Sequence, residues 1–285
     1  MTLPLSVSSD SFGNVLLLIF HAVFATAIAM VNGCVLIAIL MTHSLRRENR
    51  FIFMVSTSIS DCLVGLGWYY EGIFDVKDLP YPTKNGTFYI LSTLTGVSMI
   101  ILVAAQVERY IAVTSPFTYE KITRGRTITV CIVLWTWAYG MAVPINLFKD
   151  SEIVIKMHSI TTLVTTVFTI FVMLVLNIKL FLIAKNQLKR DPPSLERENK
   201  KSSIQLIIVV SSTFLMCWTP ALFLPFVCNM LGKCIISQND ATNIFAILMK
   251  SSSLATPVLY INGSSALKDA ILKTVWRPCC IFTHK

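Results

Sequence analysis

Long apolar stretches alternate with short polar segments along almost the whole chain of 285 residues. A helix needs roughly 20 apolar residues to cross the hydrocarbon core of a bilayer, and seven stretches are long enough. The pattern therefore predicts an all-α membrane protein, a seven-transmembrane helical bundle that forms a single domain over residues 1–280. We expect the spans at about 14–41, 51–74, 87–115, 127–148, 159–185, 203–231 and 241–262.

A shorter amphipathic segment follows the last span. Residues 264–276 carry interspersed apolar and basic positions after a Gly-Ser-Ser turn, which is typical of a helix lying on a membrane surface. The pattern predicts a short cytoplasmic eighth helix at 264–276 and a short cytoplasmic tail at 281–285. The sequence has no internal repeat of the kind that builds many transporters from inverted halves.

Composition and charge agree with a membrane protein. The chain is 54% hydrophobic and only 14% charged, which is too little charge to cover a soluble domain of this length. The net charge of +9 could suggest nucleic acid, but the basic residues concentrate after the first, third, fifth and seventh spans. By the positive-inside rule those segments are cytoplasmic and the N-terminus is outside. We therefore expect a multi-pass plasma-membrane protein without a nucleic-acid partner.

Three candidate modification sites lie outside the hydrocarbon core. Cys228 and Cys234 flank the outer loop between the sixth and seventh spans, where an oxidising environment permits a short disulfide. Cys279 and Cys280 follow the amphipathic segment and are candidates for palmitoylation. Asn85 begins an Asn-Gly-Thr sequon in the outer loop after the second span, which predicts N-glycosylation.

Polar residues inside the spans carry the chemical information, because charges in a membrane are costly and tend to be functional. The third span ends in Glu108-Arg109-Tyr110, and the sixth contains Cys217-Trp218-Thr219-Pro220. The seventh span contains Thr256-Pro257-Val258-Leu259-Tyr260. In this order the three segments resemble the D/E-R-Y, C-W-x-P and N-P-x-x-Y motifs of the rhodopsin-like (class A) G-protein-coupled receptors. The resemblance extends over about residues 14–280.

The resemblance implies a receptor that signals by helix movement and not an enzyme. It implies a heterotrimeric G protein as partner, together with an arrestin and a receptor kinase. Coupling and activation would involve Glu108, Arg109, Tyr110, Pro116, Phe117 and Tyr260. The switch that moves the sixth span would comprise Phe214, Cys217, Trp218, Pro220 and Pro257. A polytopic transporter or channel is the alternative from a different class, and the three motifs argue against it.

Asp61 in the second span is a buried carboxylate that must be neutralised, paired or bound to a cation. The resemblance places four hydroxyl residues beside it and implies a sodium pocket made of Asp61, Ser98, Ser252, Ser253 and Thr256. The alternative is a protonated Asp61 in a network of water molecules. Apart from this ion, we expect no cofactor.

The chain departs from the family pattern at several positions. Lys200 stands where an acid is usual at the start of the sixth span, so Arg109 would lose that ion pair and ligand-free activity would rise. Thr169 occupies the place of the usual proline in the fifth span, and Asn177 that of a common tyrosine. The cysteines that usually join the third span to the second outer loop are absent.

The same comparison bears on the ligand. Leu91 stands where amine receptors of the family carry an aspartate, which disfavours a charged amine. The short outer loop without cysteine and the missing proline resemble the branch containing melanocortin, cannabinoid, lysolipid and adenosine receptors. We expect a small non-aminergic ligand, anionic or lipid-like, in a pocket formed by Glu71, Leu91, Thr95, Trp218 and Lys250.

Lys250 admits three interpretations. It can pair with Glu71, an acid on the second span at similar depth, and so fix two helices. It can anchor an anionic group of a ligand. It also resembles the opsin lysine that forms a Schiff base with retinal, since the spacing to Pro257 matches. Under that alternative the protein would be a photoreceptor, with retinal as its cofactor and Glu71 as a substitute counterion.

Overall fold

The computed structural model describes residues 5, 7, 9–73, 84–119, 121–148, 151–186, 195–231 and 241–276. Helices account for nearly all of these residues. One π-helical segment, Tyr69–Ile73, follows α3, and another, Leu272–Trp276, follows α10. The α-helices are α1 (Phe12–Met41), α2 (His43–Arg47), α3 (Asn49–Trp68), α4 (Lys84–Thr114), α5 (Pro116–Tyr119), α6 (Arg124–Leu147), α7 (Glu152–Asn186), α8 (Leu195–Leu231), α9 (Ile244–Gly263) and α10 (Ser265–Ile271).

Within the described ranges, 7 helices are long and apolar enough to cross a membrane. They are α1, α3, α4, α6, α7, α8 and α9, in the order that the hydropathy pattern predicts. The predicted seven-helix architecture is therefore confirmed. Each spanning helix contains an apolar stretch of 18 residues long enough to cross a membrane. In α3, 67% of this stretch is buried inside the protein, and in α6 only 17% is. The second span is thus enclosed by its neighbours, whereas the described part of the fourth is left uncovered along most of its surface.

Several helix ends differ from the predicted limits of the spans. α7 begins at Glu152 and α8 at Leu195, earlier than 159 and 203, because a helix continues through polar residues once it leaves the hydrocarbon. α9 begins later than 241 because Asn243 caps it. The Asn243 side chain accepts hydrogen bonds from the backbone N–H groups of Phe245 at 3.0 Å and Ala246 at 3.4 Å.

The close approach of α1 and α3 depends on Gly65. A Cβ atom at this position would lie 2.7 Å from the backbone nitrogen of Ala29 and 3.0 Å from the carbonyl oxygen of Ala25. Both contacts are with backbone atoms, which cannot move aside as a flexible side chain can. The absence of a side chain therefore allows the two helices to pack backbone to backbone, as small residues do at helix interfaces in membranes.

Two of the buried clusters hold several helices together. One joins α4, α7 and α8 through residues that include Met99, Leu102, Met173, Val210 and Phe214. The other joins α1, α3 and α10 through Val35, Ala38, Ile39, Leu45, Phe51, Met54, Leu267, Ala270 and Ile271. α10 and the π-helical segment after it occupy the range predicted for the eighth helix, and α10 buries one face against α1. Its contact with the membrane surface stays a prediction.

Candidate functional site

Asp61 lies at the centre of the bundle and is 2% exposed. Two hydroxyl groups donate to the same carboxylate oxygen, Oδ1: Ser98 of α4 at 2.7 Å and Ser253 of α9 at 2.8 Å. Asn32 of α1 donates to the backbone carbonyl of Ser253 at 2.8 Å. The carboxylate thus joins α3, α4 and α9, and Asn32 ties α1 to the same point.

The other two residues of the predicted sodium pocket have different surroundings. Ser252 donates to the carbonyl oxygen of Met249 at 2.7 Å and accepts from the indole N–H of Trp218 at 3.3 Å. Thr256 is buried, with 7% of its surface exposed. Neighbouring residues of a helix point about 100° apart, so Ser252 and Ser253 serve different partners. The structure therefore brings Ser98 and Ser253 onto Asp61, and links Ser252 to Trp218 instead.

The predicted switch residues of α8 pack against α9. The rings of Phe214 and Trp218 are stacked, with their centroids 5.2 Å apart. The sulfur of Cys217 lies 3.7 Å from the hydroxyl of Ser251 on α9. α8 is continuous through Pro220, although proline has no N–H to donate to the preceding turn. The helix is therefore intact at the position where a missing hydrogen bond makes bending easiest.

Glu108 and Arg109 lie near the C-terminal end of α4. Their side chains are 3.7 Å apart at the closest nitrogen and oxygen, with Glu108 buried and Arg109 partly exposed. Tyr119 of α5 donates a hydrogen bond of 2.6 Å to Glu108. Burial, and then this hydrogen bond, raises the pKa of Tyr119 to about 12, so the phenol remains a donor.

Arg109 also borders a small cleft among α3, α4, α8 and α9. The cleft has a volume of about 40 Å³, and its lining includes Arg50, Arg109, Leu206 and Tyr260. Phe117 of α5 is 82% exposed, so a large apolar side chain faces outward beside this region. The predicted coupling residues Arg109 and Tyr260 are thus brought to one cleft.

A buried polar cluster that the motif analysis missed links α4, α7 and α8. Gln106 donates to the side-chain oxygen of Asn177 at 2.8 Å, and Ser211 donates to the same atom at 2.6 Å. Gln106 and Ser211 are fully buried. Gln106 lies one helical turn before Arg109. Polar residues inside three apolar spans were the available signal, but only the fold shows that they meet.

A cavity of about 260 Å³, which we call the cavity above Trp218, lies in the half of the bundle away from Arg109. It is bounded by α4, α6, α7, α8 and α9, and its lining includes Thr95, Gly96, Met141, Thr166 and Met249. The hydroxyl of Thr95 is buried and makes no hydrogen bond within the described part of the chain. None of the described lining residues carries a charge. Two members of the predicted ligand pocket, Thr95 and Trp218, therefore line one cavity.

Lys250 lies elsewhere, where α1, α3 and α9 pack together. It is 5% exposed, and its ammonium group lies 5.6 Å from the ring centroid of Trp68. This distance permits a cation–π interaction. The described lining of the cavity above Trp218 includes Met249 but not Lys250. The predicted ligand pocket is thus divided between the cavity and the surroundings of Trp68.

His21 completes the cluster around Trp68. It accepts the indole N–H of Trp68 at Nδ1, 3.2 Å away, and its Nε2 lies 2.8 Å from the carbonyl oxygen of Ala241. Both ring nitrogens have partners if the proton is on Nε2. A histidine in the first apolar stretch could have drawn notice, but its partners are distant in sequence. The cluster ties α1 to α3 and to the segment before α9.

Several predicted features lie outside what the structure describes. Three predicted residues lie outside the described ranges: Cys234, Cys279 and Cys280. Six others lie in described helices, but the structure does not describe their side chains: Glu71, Asn85, Leu91, Pro116, Lys200 and Cys228. The disulfide, palmitoylation and glycosylation stay predictions. So do the Glu71–Lys250 pair and the consequence of Lys200 for Arg109.

Comparison with known proteins gives the family. The family described as 7 transmembrane receptor (rhodopsin family) matches residues 31–260. Melanocortin receptor 5 of Mus musculus is 24% identical over 89% of this chain and 81% of its own length. Lysophosphatidic acid receptor 1 of Bos taurus is 24% identical over 89% of this chain and 73% of its own length. Relaxin receptor 1 of Pongo abelii is 24% identical over 92% of this chain, but the chain spans only 39% of that receptor.

The matched segment contains all three motifs as well as Asp61 and the cavity above Trp218. The relatives are receptors, and the chain itself is a receptor and not an enzyme. The fold, the placement of Arg109 and Tyr260, and the extent of the match lead to one assignment. The chain belongs to the rhodopsin family of seven-transmembrane receptors.

Proposed function

We propose that the protein is a G-protein-coupled receptor of the plasma membrane, with its N-terminus outside and its C-terminus in the cytoplasm. The observation that carries the proposal is that Arg109 and Tyr260 line the same cleft, which α8 also borders. A cationic side chain at the cytoplasmic mouth of a bundle is suited to receive an inserted helix end, whose carbonyl groups attract cations. An arrestin and a receptor kinase complete the proposed partners.

Movement of α8 would open that cleft. The described contacts that hold the helix inward include the bond from Trp218 to Ser252 of α9 and the bond from Ser211 to Asn177 of α7. A ligand above Trp218 would shift the population toward an open state only if it bound that state more tightly. The indole of Trp218 borders the cavity and also bonds Ser252, so it can transmit such a preference.

The cavity above Trp218 supports an apolar or lipid-like ligand rather than a cationic one. Its described lining combines methionine and other apolar side chains with threonine hydroxyls. The buried hydroxyl of Thr95 would regain a hydrogen bond from a ligand with one acceptor or donor. One relative, lysophosphatidic acid receptor 1, is named for a lipid. An anionic group would need to reach Lys250, which lies beside Trp68.

Asp61, Ser98 and Ser253 fit a sodium ion. A carboxylate with hydroxyl groups around it offers the oxygen ligands that hard cations prefer. The hydroxyls of Ser98 and Ser253 both lie within 2.8 Å of the Asp61 carboxylate. These three side chains would hold the ion, while Ser252 would act through Trp218. Such an ion would stabilise the closed arrangement of α3, α4 and α9.

Coupling can be tested without knowing the ligand. The receptor is expressed with each class of Gα subunit, and ligand-free dissociation of the G protein is followed by resonance energy transfer. We expect activity with at least one class and its loss in Arg109→Gln. Arg46→Gln, which alters an exposed arginine of α2, is the matched control and should retain activity.

Two outcomes would contradict the receptor mechanism. One is the absence of signalling with every Gα class, both in untreated cells and after exposure to a lipid library. The other is signalling that Arg109→Gln leaves unchanged. Ion or solute flux through the purified protein in liposomes would favour the transporter or channel alternative.

A further inference from the structure

A second cavity of the bundle lies toward the Arg109 end of α4, and its lining is largely different from that of the cavity above Trp218. It has a volume of about 510 Å³ and runs between α4, α6 and α7. Its wall is almost wholly apolar and includes Ile100, Val103, Val130, Leu134, Phe168 and Val172. A cavity of this size can hold a substantial part of a small amphiphilic molecule.

The cavity is a groove that opens toward lipid. Three of its lining residues, Val107, Val130 and Phe168, are exposed on the outside of the bundle at 38%, 42% and 66%. An apolar wall at this depth offers water few hydrogen-bond partners, so water does not fill such a space stably. Hydrocarbon regains the dispersion contacts that an empty groove would lose.

The cytoplasmic end of the groove is polar and basic. Arg126 and Thr127 at the start of α6 belong to the lining. One N–H of the Arg126 guanidinium donates to the carbonyl oxygen of Lys121 at 2.9 Å, which holds the group at this end. An arginine has five N–H donors, so a phosphate can bind the same guanidinium. Lys121 and Arg124 are exposed and lie outside the described lining.

Glu108 also borders the groove, but its negative charge is compensated. Its carboxylate accepts from Tyr119 at 2.6 Å and lies 3.7 Å from Arg109. The polar end of the groove therefore combines compensated Glu108 with a basic group at Arg126. An apolar channel that ends in a cation at the cytoplasmic membrane surface is complementary to an acidic amphiphile.

We propose that this groove binds an anionic phospholipid of the cytoplasmic leaflet. One acyl chain lies along Val103, Val130 and Phe168, and the phosphate binds Arg126. The cytoplasmic leaflet supplies such lipids, and its negative surface potential attracts basic residues near the membrane. Because Glu108 contacts both the groove and Arg109, the lipid touches the coupling site without entering the ligand cavity. The lipid site rests on the proposed orientation of the chain in the membrane, but it does not depend on the proposed G-protein coupling.

Native mass spectrometry of the purified full chain tests the proposal. The protein is exchanged into detergent with equal amounts of phosphatidylserine and phosphatidylcholine, and the retained lipids are counted. We expect one retained phosphatidylserine per receptor, favoured by about fivefold, the preference that a single basic contact provides. Arg126→Gln should abolish the preference for phosphatidylserine. Val130→Trp, which fills the groove from its exposed face, should abolish retention of both lipids.

Two matched variants separate the groove from general attraction to a basic surface. Arg124→Gln removes a neighbouring exposed charge, and Val133→Trp adds the same indole on an exposed face of α6 outside the described lining. Both should behave like the wild type. The proposal is overturned if Arg126→Gln keeps the preference, if Val130→Trp retains lipid, or if phosphatidylcholine is held equally well. A dimer that forms in the wild type and is lost in Val130→Trp would also overturn the proposal, because it would show that a second copy of the chain occupies the groove.

Discussion

The hydroxyl of Ser211 lies 2.6 Å from the side-chain oxygen of Asn177, and this contact joins α8 to α7 deep in the bundle. Asn177 also accepts from Gln106 of α4, so three helices meet at one oxygen atom. The cluster lies one turn from Arg109. Outward movement of α8 away from α7 would separate Ser211 from Asn177 and leave its hydroxyl on the Ile207 carbonyl of its own helix, 2.6 Å away, whereas the bond from Gln106 to Asn177 can persist.

Removing this bond is expected to raise ligand-free signalling. Ser211→Ala deletes the hydroxyl but leaves the Gln106–Asn177 bond in place. A buried neutral hydrogen bond contributes about 1 kcal/mol, so the open fraction should rise about fivefold. The measurement is ligand-free G-protein activation at matched surface expression.

Ser212→Ala is the control for this experiment, because it makes the same change at the next residue of α8. It should leave ligand-free signalling near the wild-type level. Equal activity of Ser211→Ala and the wild type would show that the bond does not restrain α8.

Sodium binding at Asp61 should appear in thermal unfolding. A ligand that binds only the folded state stabilises it, so the wild type should melt at a higher temperature in ~150 mM NaCl than in equal KCl. Asp61→Asn should abolish this difference, and Ser98→Ala and Ser253→Ala should reduce it. No ligand is needed for the measurement.

Ser252→Ala is the control for the sodium experiment. Ser252 bonds Trp218 and the Met249 carbonyl, so the sodium effect should survive its replacement. Equal melting temperatures of the wild type in sodium and potassium would instead favour a protonated Asp61 in a water network.

Tyr119 should stabilise the protein over the whole physiological pH range. Its pKa is raised to about 12, above the ordinary value of about 10, so its contribution is complete below about pH 10. The contribution is lost as pH rises through about 12. Tyr119→Phe should therefore lower the melting temperature by a constant amount between about pH 6 and 9, equivalent to about 1 kcal/mol for a partly exposed bond to a carboxylate.

Thr118→Ala in the same short helix is the control, because among the described contacts the Thr118 side chain makes no hydrogen bond to Glu108. A Tyr119→Phe effect that changed steeply within that pH range would mean that another ionising group controls the contact.

Retinal binding at Lys250 can be tested by absorption. We expect no visible band after incubation with 11-cis-retinal, because Lys250 packs against Trp68 and the described lining of the cavity above Trp218 does not include it. Lys250→Ala, treated in the same way, is the comparison. A visible band present in the wild type and absent in Lys250→Ala would establish the opsin alternative.

The sequence predicted the helices well because hydropathy is a property of each segment alone. It also anticipated that Ser98 and Ser253 would surround Asp61, since family positions carry that information. It could not separate Ser252 from Ser253, because their partners depend on the rotation of α9. The links from His21 to Trp68 and from Gln106 to Asn177 join distant positions, so no local pattern reveals them.

The close packing of α1 against α3 at Gly65 makes these two helices a suitable reference for measuring the movement of α8. Backbone contacts at Gly65 and the His21–Trp68 bond prevent those helices from sliding. A fluorophore at the N-terminal end of α3 would therefore report the displacement of a second fluorophore on α8. Such a pair would follow activation directly, even before any ligand has been identified.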